Sequence, residues 1–372
     1  MSPRFIHLRL HTEYSLVDSV IRIPQLMQSM AAIKMPAVAL TDQGNLFALV
    51  KFYKAAQAHG IKPIIGADLQ LRDSEADSSC SLTLLCCDTE GYRNLSALIT
   101  RSYLEGQRRG IPMLERQWFK GHTHGLIALS GGREGDVGRA LLANRTDQAR
   151  VLLNGWLDLF PERFYMELQR TGREGEEDYL RSAVQIAGAS GVPLVATNDV
   201  RFLRPEEFES HEARVCIQSG HVLNDPRRPR RYSEQQYLRS AEQMLQLFSD
   251  LPEALENSVE IARRCNFTLR LGENFLPAYP IPQGHTVESF LRAEANAGLE
   301  QRLSRLLIDA GTDREARTRP YRERLQLELD VILGMGFAGY FLIVADFIRW
   351  ARQHGVPLGP GRGSGAGSLV AY

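Results

Sequence analysis

From the N-terminus to about residue 200 the chain alternates short apolar runs of strand type with stretches in which apolar residues recur at helical spacing. The strand runs are Ile6–Leu10, Ala37–Leu40, Pro63–Ile65, Leu82–Cys86, Leu126–Leu129, Phe164–Leu168 and Pro193–Ala196. Helical stretches such as Leu46–His59, Gly91–Leu104, Gln148–Leu159 and Glu177–Ala189 lie between them. Parallel strands need crossovers of about a dozen residues, usually helical, and most of these connections are long enough. The pattern predicts an α/β fold with a parallel sheet, and a series of this length commonly closes into a barrel. In parallel barrels the chemistry sits on the loops that follow the strands. Polar residues collect there: His11, then Thr41-Asp-Gln43, then Asp68, then Asn198-Asp199.

From about Glu206 the pattern turns helical. Pro205-Glu-Glu-Phe-Glu209 opens one helix, and Ser240 is placed as the N-cap of another. Between them Asp225-Pro-Arg-Arg-Pro-Arg-Arg231 is a proline-stiffened run of charge, expected to be a solvated loop. Prolines string through Leu271–Pro282 and predict an extended linker with a domain boundary. Beyond it, Leu325, Leu329 and Ile332 make one apolar stripe, and Phe341, Val344 and Ile348 another; both are expected to face a core.

With 372 residues the chain has room for two domains, or for one large barrel and part of a second. A 44% hydrophobic and 24% charged composition is that of an ordinary soluble globular protein. Lys plus Arg and Asp plus Glu balance at 44 each, so the chain as a whole presents no basic field for nucleic acid. Five cysteines without a repeating spacing point to reduced thiols rather than a disulfide framework. The N-terminus lacks the charged and apolar regions of a secretion signal, and no run approaches the roughly 20 apolar residues of a membrane span. The expectation is a cytoplasmic protein with no membrane partner.

Near the end of the chain glycine takes every second position from Gly359 to Gly367, followed by Ser368 and the apolar Leu369-Val-Ala-Tyr372. So little side chain cannot build a core. What it offers is backbone N–H groups free to converge on an anion, with Arg362 as a fixed positive fork and Ser364 and Ser368 as hydroxyl donors, the outline of a polyphosphate cradle. The closing lysine of a Walker A loop is missing, and no strand precedes the segment as a dinucleotide fingerprint requires. A glycine-rich hinge is the plainer alternative. The chain stops one turn into what reads as the next helix, so an N-terminal fragment is expected.

Taken together, His7-Leu-Arg-Leu-His-Thr-Glu-Tyr-Ser15, Ala39-Leu-Thr-Asp-Gln-Gly-Asn-Leu46, Lys62-Pro-Ile-Ile-Gly66, Ala196-Thr-Asn-Asp-Val200, Met335-Gly-Phe-Ala-Gly-Tyr-Phe-Leu342 and Gly359–Tyr372 resemble the C-family replicases, the alpha subunits of bacterial DNA polymerase III, of gammaproteobacterial type. The resemblance runs in order along the whole chain. It implies a polymerase-and-histidinol-phosphatase (PHP) domain, a distorted (β/α)7 barrel, over residues 1–275, and a truncated, mostly helical N-terminal part of the palm over 276–372. It also implies that Gly361, Arg362, Gly363 and Ser364 contact the triphosphate of the incoming nucleotide. The catalytic aspartates that hold magnesium would lie beyond Tyr372, so no catalytic residue and no cofactor are expected within this stretch. The implied partners are a proofreading exonuclease subunit at the PHP domain, other replicase subunits and the sliding clamp through regions beyond this chain, and DNA and dNTP in the full protein.

Metal-binding PHP domains carry a pattern of His, Asp, Glu and Cys ligands from which this sequence departs. His11, Asp18, Asp42 and Asp199 are kept. Arg9 stands where the first histidine would be, Gln43 replaces the histidine after Asp42, Asp68 shortens a glutamate, and Arg201 replaces the last histidine. Ser81 and Gly132 align with a histidine and a cysteine. Arginine has no lone pair to give a metal and carries a permanent positive charge. The expectation is a vestigial site without metal, in which Arg9 and Arg201 pair with Asp42, Asp68 or Asp199, on a barrel that serves as a scaffold. The competing expectation is an active metal-dependent PHP phosphoesterase or 3′–5′ exonuclease. A third is a nucleotide-sensing module built on the cradle.

Overall fold

The computed structural model describes residues 4–72, 79–273, 275–306, 314–359 and 364–372. The chain divides into two compact units, Met1–Leu269 and Arg270–Tyr372.

In the first unit the strands are β1 (Ala37–Leu40), β2 (Lys62–Arg72), β3 (Ser79–Cys86), β4 (Gln107–Arg108), β5 (Ile111–Pro112), β6 (Leu126–Leu129), β7 (Phe164–Leu168) and β8 (Leu194–Ala196). Six of them form one curled sheet in the order β1-β2-β3-β6-β7-β8, and β4 and β5 make a separate small ribbon. The expected all-parallel sheet is corrected here. β1 runs parallel to β2, and β6 to β7 to β8, but β3 is antiparallel to both its neighbours. The cause is length. The third strand run, expected to be Pro63–Ile65, extends to Arg72, which leaves too few residues before Ser79 for a parallel crossover.

The first expected strand, Ile6–Leu10, makes isolated bridges rather than a ladder: His7 with Val38, and Leu10 with Val200. The Leu10 N–H goes to Thr41 Oγ1 at 3.0 Å, which takes it out of strand pairing. Even so, the segment joins the two edges of the sheet. The Ala39 N–H donates to the His7 carbonyl at 2.9 Å and the His11 N–H to the Val200 carbonyl at 3.0 Å, so β1 and the segment that follows β8 are drawn around residues 7–11.

Helices α1 (Ile23–Ala32), α2 (Leu49–Ala58), α3 (Thr89–Leu104), α4 (Asp136–Leu142), α5 (Thr146–Leu159), α6 (Glu176–Ser190), α7 (Phe208–Ser219), α8 (Ala241–Leu247) and α9 (Pro252–Arg264) complete this unit. In α1, Ile23, Leu26, Met27 and Met30 fall on one face and are buried, and Pro24 starts the helix where no N–H is needed. Ser240 caps α8: its Oγ accepts the Gln243 N–H at 3.3 Å, and Gln243 Oε1 accepts the Ser240 N–H at 2.8 Å. The Asp225–Arg231 run is a loop whose Arg227 pairs with Asp225 at 3.1 Å and whose Arg228 pairs with Glu212.

One close approach sets the seat of α3. A Cβ on Gly91 would lie 1.8 Å from the Gly125 carbonyl oxygen, and Gly125 itself has φ +69°. We expect Gly91→Ala to lower stability by about 1–3 kcal/mol, because backbone must move to admit the methyl group. Urea denaturation checks this, and an unchanged midpoint would show that α3 slides freely on that turn.

The second unit holds α10 (Val287–Leu306), α11 (Arg314–Gly334) and α12 (Ala338–Gln353) around Leu291, Leu299, Leu303, Leu325, Leu329, Ala338 and Leu342. The α11 stripe faces this core. The α12 stripe is corrected in part: Phe341 packs against this core, but the buried residues are Ala338, Leu342 and Ala351, and Ile348 is exposed. Apolar residues run around most of α12, so its partners rather than its periodicity select the buried side. Asn274 of the proline-rich linker lies outside the described residues, as do Gly361, Arg362 and Gly363 of the glycine-rich segment.

Candidate functional site

The C-terminal ends of the strands, together with residues 9–18 and 199–201, bring a set of charges into one buried cluster. Arg9 sits at its centre. Its Nε donates to Asp68 Oδ2 at 2.7 Å and lies 3.3 Å from Asp199 Oδ1, and its Nη1 reaches Glu167 at 3.2 Å. Arg201 holds the other side. Nη2 donates to Asp199 Oδ1 at 2.6 Å, while Nη1 pairs with Asp18 and touches His11 Nδ1. His11 bridges the two halves, with Nδ1 3.0 Å from Asp18 Oδ1 and Nε2 2.7 Å from Asp68 Oδ2.

Asp42 takes no part in the arginine network, contrary to one of the expected pairings. Its carboxylate is bound by the Thr12 N–H at 2.6 Å, the Thr12 hydroxyl at 2.8 Å and the Ser15 hydroxyl at 2.7 Å. The reason is local: residues 12–15 form a tight 3₁₀ turn against the end of β1, and its donors saturate the group first. Gln43 also turns away, its amide reaching the Asp68 main-chain oxygen at 3.5 Å. Ser81 lies on β3 opposite Gln70, and Gly132 lies beside the Gln169 side chain.

Several members of the cluster escaped sequence reasoning. Glu167 lies inside β7, where it receives Arg9, Gln169 Nε2 at 3.0 Å and the Thr197 hydroxyl at 2.5 Å. Its one visible signal was a carboxylate within the apolar run Phe164–Leu168. Gln236 Nε2 donates to Asp199 Oδ2 at 2.8 Å and the Tyr232 hydroxyl to Asp18 Oδ2 at 3.3 Å. Residues 232–236 therefore lie across the cluster from a loop more than 30 positions away in sequence. Asp199 holds φ +47°, a left-handed conformation that aspartate tolerates better than most residues and that turns its carboxylate toward both arginines.

The cluster is closed to water: Arg9 is 4% exposed, His11 0%, Asp68 1%, Asp199 2% and Arg201 4%. Burial opposes the ionisation of Asp199, but Arg201, Arg9 and Arg173 outweigh it and hold its carboxyl far below the usual range. Asp18 is lowered against the same burial by Arg201 and His11, and Asp68 by Arg9 and His11. Burial and Arg201 both oppose a charge on His11, yet Asp18 and Asp68 prevail and raise its pKa to about 9. For Asp42 burial wins, and its pKa rises.

Ligand atoms of His11, Asp68 and Asp199 lie within 4.8 Å of one another, close enough in principle to share a cation. The donor set as arranged does not fit one. Asp68 Oδ2 already accepts from Arg9 and His11, and Asp199 Oδ1 from Arg201. A divalent ion placed there would meet two guanidinium groups at contact distance.

A pH dependence follows. His11 is raised above its ordinary value of about 6.5, so its stabilisation is complete below that pH and is lost as pH rises through about 9. His7, lowered mainly by burial to about 4, acts with the opposite sign and removes stability as pH falls from about 6.5 toward 4. The depressed carboxylates of Asp18, Asp68 and Asp199 contribute above about pH 3.9 and fail as pH falls through their lower folded values. The urea midpoint is expected to peak near pH 6.5 and fall on both sides, at about pH 9 and about pH 4. His11→Gln should flatten the alkaline limb; if that limb keeps its slope, His11 does not carry the charge.

The PHP domain family matches residues 7–171, and the family described as the bacterial DNA polymerase III alpha NTPase domain matches residues 289–372. The DNA polymerase III subunit alpha of Pseudomonas aeruginosa is 56% identical over 373 residues, covering 100% of this chain. The chain belongs to the DNA polymerase III alpha-subunit family. The alpha subunits of Vibrio cholerae and Escherichia coli strain K12 are 52% and 51% identical, again across 100% of this chain. The chain spans 32% of the length of each of these alpha subunits. In this alpha-family chain the PHP match takes in Arg9, His11, Asp18, Asp42, Asp68 and Glu167, while Asp199 and Arg201 complete the cluster from beyond it. No single helix among the described residues is long and apolar enough to cross a membrane.

Proposed function

We propose that this chain is the N-terminal part of a cytoplasmic, template-directed DNA polymerase. Its PHP barrel is a metal-free, catalytically inactive scaffold that docks a proofreading exonuclease subunit, and its second unit is the start of the palm. Magnesium, DNA, dNTP, the other replicase subunits and the clamp engage the full-length protein, whose catalytic aspartates follow Tyr372. Gly361, Arg362, Gly363 and Ser364 bind the triphosphate.

One observation carries the scaffold assignment: two guanidinium groups are buried among the carboxylates that a metal-dependent PHP site would use. Burying those carboxylates without a counter-charge would cost about 3–5 kcal/mol, so arginine supplies electrostatically what a metal ion would have supplied, but offers no Lewis acid and no bound hydroxide. The buried cluster also gives a phosphoester no room to approach.

The alternative, an active phosphoesterase, draws on the proximity of His11, Asp68 and Asp199. Incubation of the chain with manganese or zinc, followed by desalting and metal analysis, separates the two. The scaffold predicts substoichiometric metal and no hydrolysis of a generic aryl phosphodiester. Metal bound at one ion or more per chain, with hydrolysis that a chelator abolishes, would establish the phosphoesterase instead. Docking is checked by co-elution of the chain with the exonuclease subunit, and separate elution at micromolar concentrations would remove that role.

A further inference from the structure

The second unit contains a carboxylate that neither the family match nor the triphosphate assignment explains. Glu328 lies in α11 with its side chain largely buried. Its two oxygens do different work. Oε1 accepts from Arg324 Nε, one helical turn earlier, at 2.6 Å. Oε2 accepts the Ser368 hydroxyl at 2.8 Å and the Val370 N–H at 3.0 Å.

We propose that Glu328 is a positioning residue for nucleotide binding, fixing against α11 the point at which the glycine-rich segment ends. The inference rests on the triphosphate assignment above. A run of glycines has little intrinsic preference for one conformation, so its geometry must be imposed at its ends. At the C-terminal end, Ser364–Gly367 forms a single 3₁₀ turn that leads into Ser368. Ser368 donates its hydroxyl proton to Glu328, and its oxygen accepts the Ala371 N–H at 3.2 Å, as an N-cap serine does. Leu369 and Val370 pack against the apolar cluster of the three helices. The carboxylate and the apolar contacts together hold three consecutive residues, Ser368–Val370, beginning four positions after Ser364.

Arg324 makes the anchor directional. By engaging Oε1 it sets the rotation of the carboxylate and leaves Oε2 facing the segment. Burial resists the negative charge, but the Val370 N–H, Arg324 and Ser368 overcome it and keep the Glu328 carboxyl below its ordinary range. The group is therefore ionised throughout the working pH range, and each of its contacts is a charge-assisted hydrogen bond.

The test is steady-state dNTP incorporation by the full-length polymerase carrying Glu328→Ala, Glu328→Gln, Ser368→Ala or Arg362→Ala. With Glu328→Ala the KM for dNTP should rise about three- to tenfold while kcat falls less than about twofold and Tm is held, since the loss is one of preorganised binding. Glu328→Gln keeps an acceptor of the same size and should recover most of the KM. Ser368→Ala leaves the Arg324 pair intact and should shift KM in the same direction, which decides the matter if Glu328→Ala does not fold. A wild-type KM in Glu328→Ala or Ser368→Ala, alongside a raised KM in Arg362→Ala, overturns the positioning role and leaves the triphosphate assignment standing. A wild-type KM in Arg362→Ala as well overturns both. Equal losses of kcat and KM performance together with a lowered Tm would reduce Glu328 to a structural residue and also overturn the proposal.

Discussion

Arg201→Ala will cost the chain about 3–5 kcal/mol of unfolding free energy, the range found when one partner of a buried ion pair is removed. The loss is large because Arg201 serves two carboxylates at once. Asp18 would remain buried with no arginine beside it, and Asp199 would keep only the longer contacts to Arg9 at 3.3 Å and Arg173 at 4.0 Å, with Arg9 also committed to Asp68 and Glu167. A typical domain is stable by only about 5–15 kcal/mol, so the variant should melt well below the parent or accumulate as insoluble protein. Arg201→Lys should recover only part of the loss, because an ammonium lacks the planar fork that reaches both acids. Adding Asp199→Asn to Arg201→Ala should restore some stability, since one of the two buried charges that lost its closest guanidinium is then gone; the two changes are therefore non-additive. Urea denaturation followed by circular dichroism measures all three. A cost below about 1 kcal/mol for Arg201→Ala would mean that something other than guanidinium neutralises the carboxylates, and the scaffold assignment would fall with it.

Arg362→Ala should lower kcat/KM for dNTP in the full-length polymerase by about 100-fold, the scale of losing a charged contact to a reacting phosphate. Arginine suits this position because its fork binds phosphate oxygens in pairs and never loses its charge. Neighbouring glycines allow backbone N–H groups to approach the same oxygens. Stability should not change, since a segment of glycines contributes no core. Arg362→Lys should lie between the two, keeping charge without the paired geometry. Primer extension at varied dNTP concentration supplies the measurement, and incorporation within twofold of the parent would return the segment to a glycine-rich hinge.

The strands were the most legible part of the fold. Ala37–Leu40 and Leu126–Leu129 are continuous apolar runs in sequence, Phe164–Leu168 is one broken only by Glu167, and all three are strands with those same ends in space, because a strand buried on both faces has few polar positions to blur its limits. Strand direction was not legible in the same way. It turned on whether the segment after Lys62 stopped at Ile65 or continued to Arg72, and hence on how many residues remained to reach Ser79. The buried side of α12 was ambiguous for a related reason: Ile348 is as apolar as Leu342, and only the packing partners separate them.

The cluster divides along the same line. Residue identity was enough to predict that Arg9 and Arg201 would pair with carboxylates, since charge is a property of the side chain alone. Which carboxylates they meet depends on distances of a few ångströms between segments far apart in the chain. Local turn donors claimed Asp42, β7 delivered Glu167, and the loop bearing Tyr232 and Gln236 lay down over Asp18 and Asp199. Chemical kind is written residue by residue, whereas partnership in a buried site is settled by how strands and loops converge, because electrostatic and hydrogen-bond energies depend steeply on geometry that no linear pattern encodes.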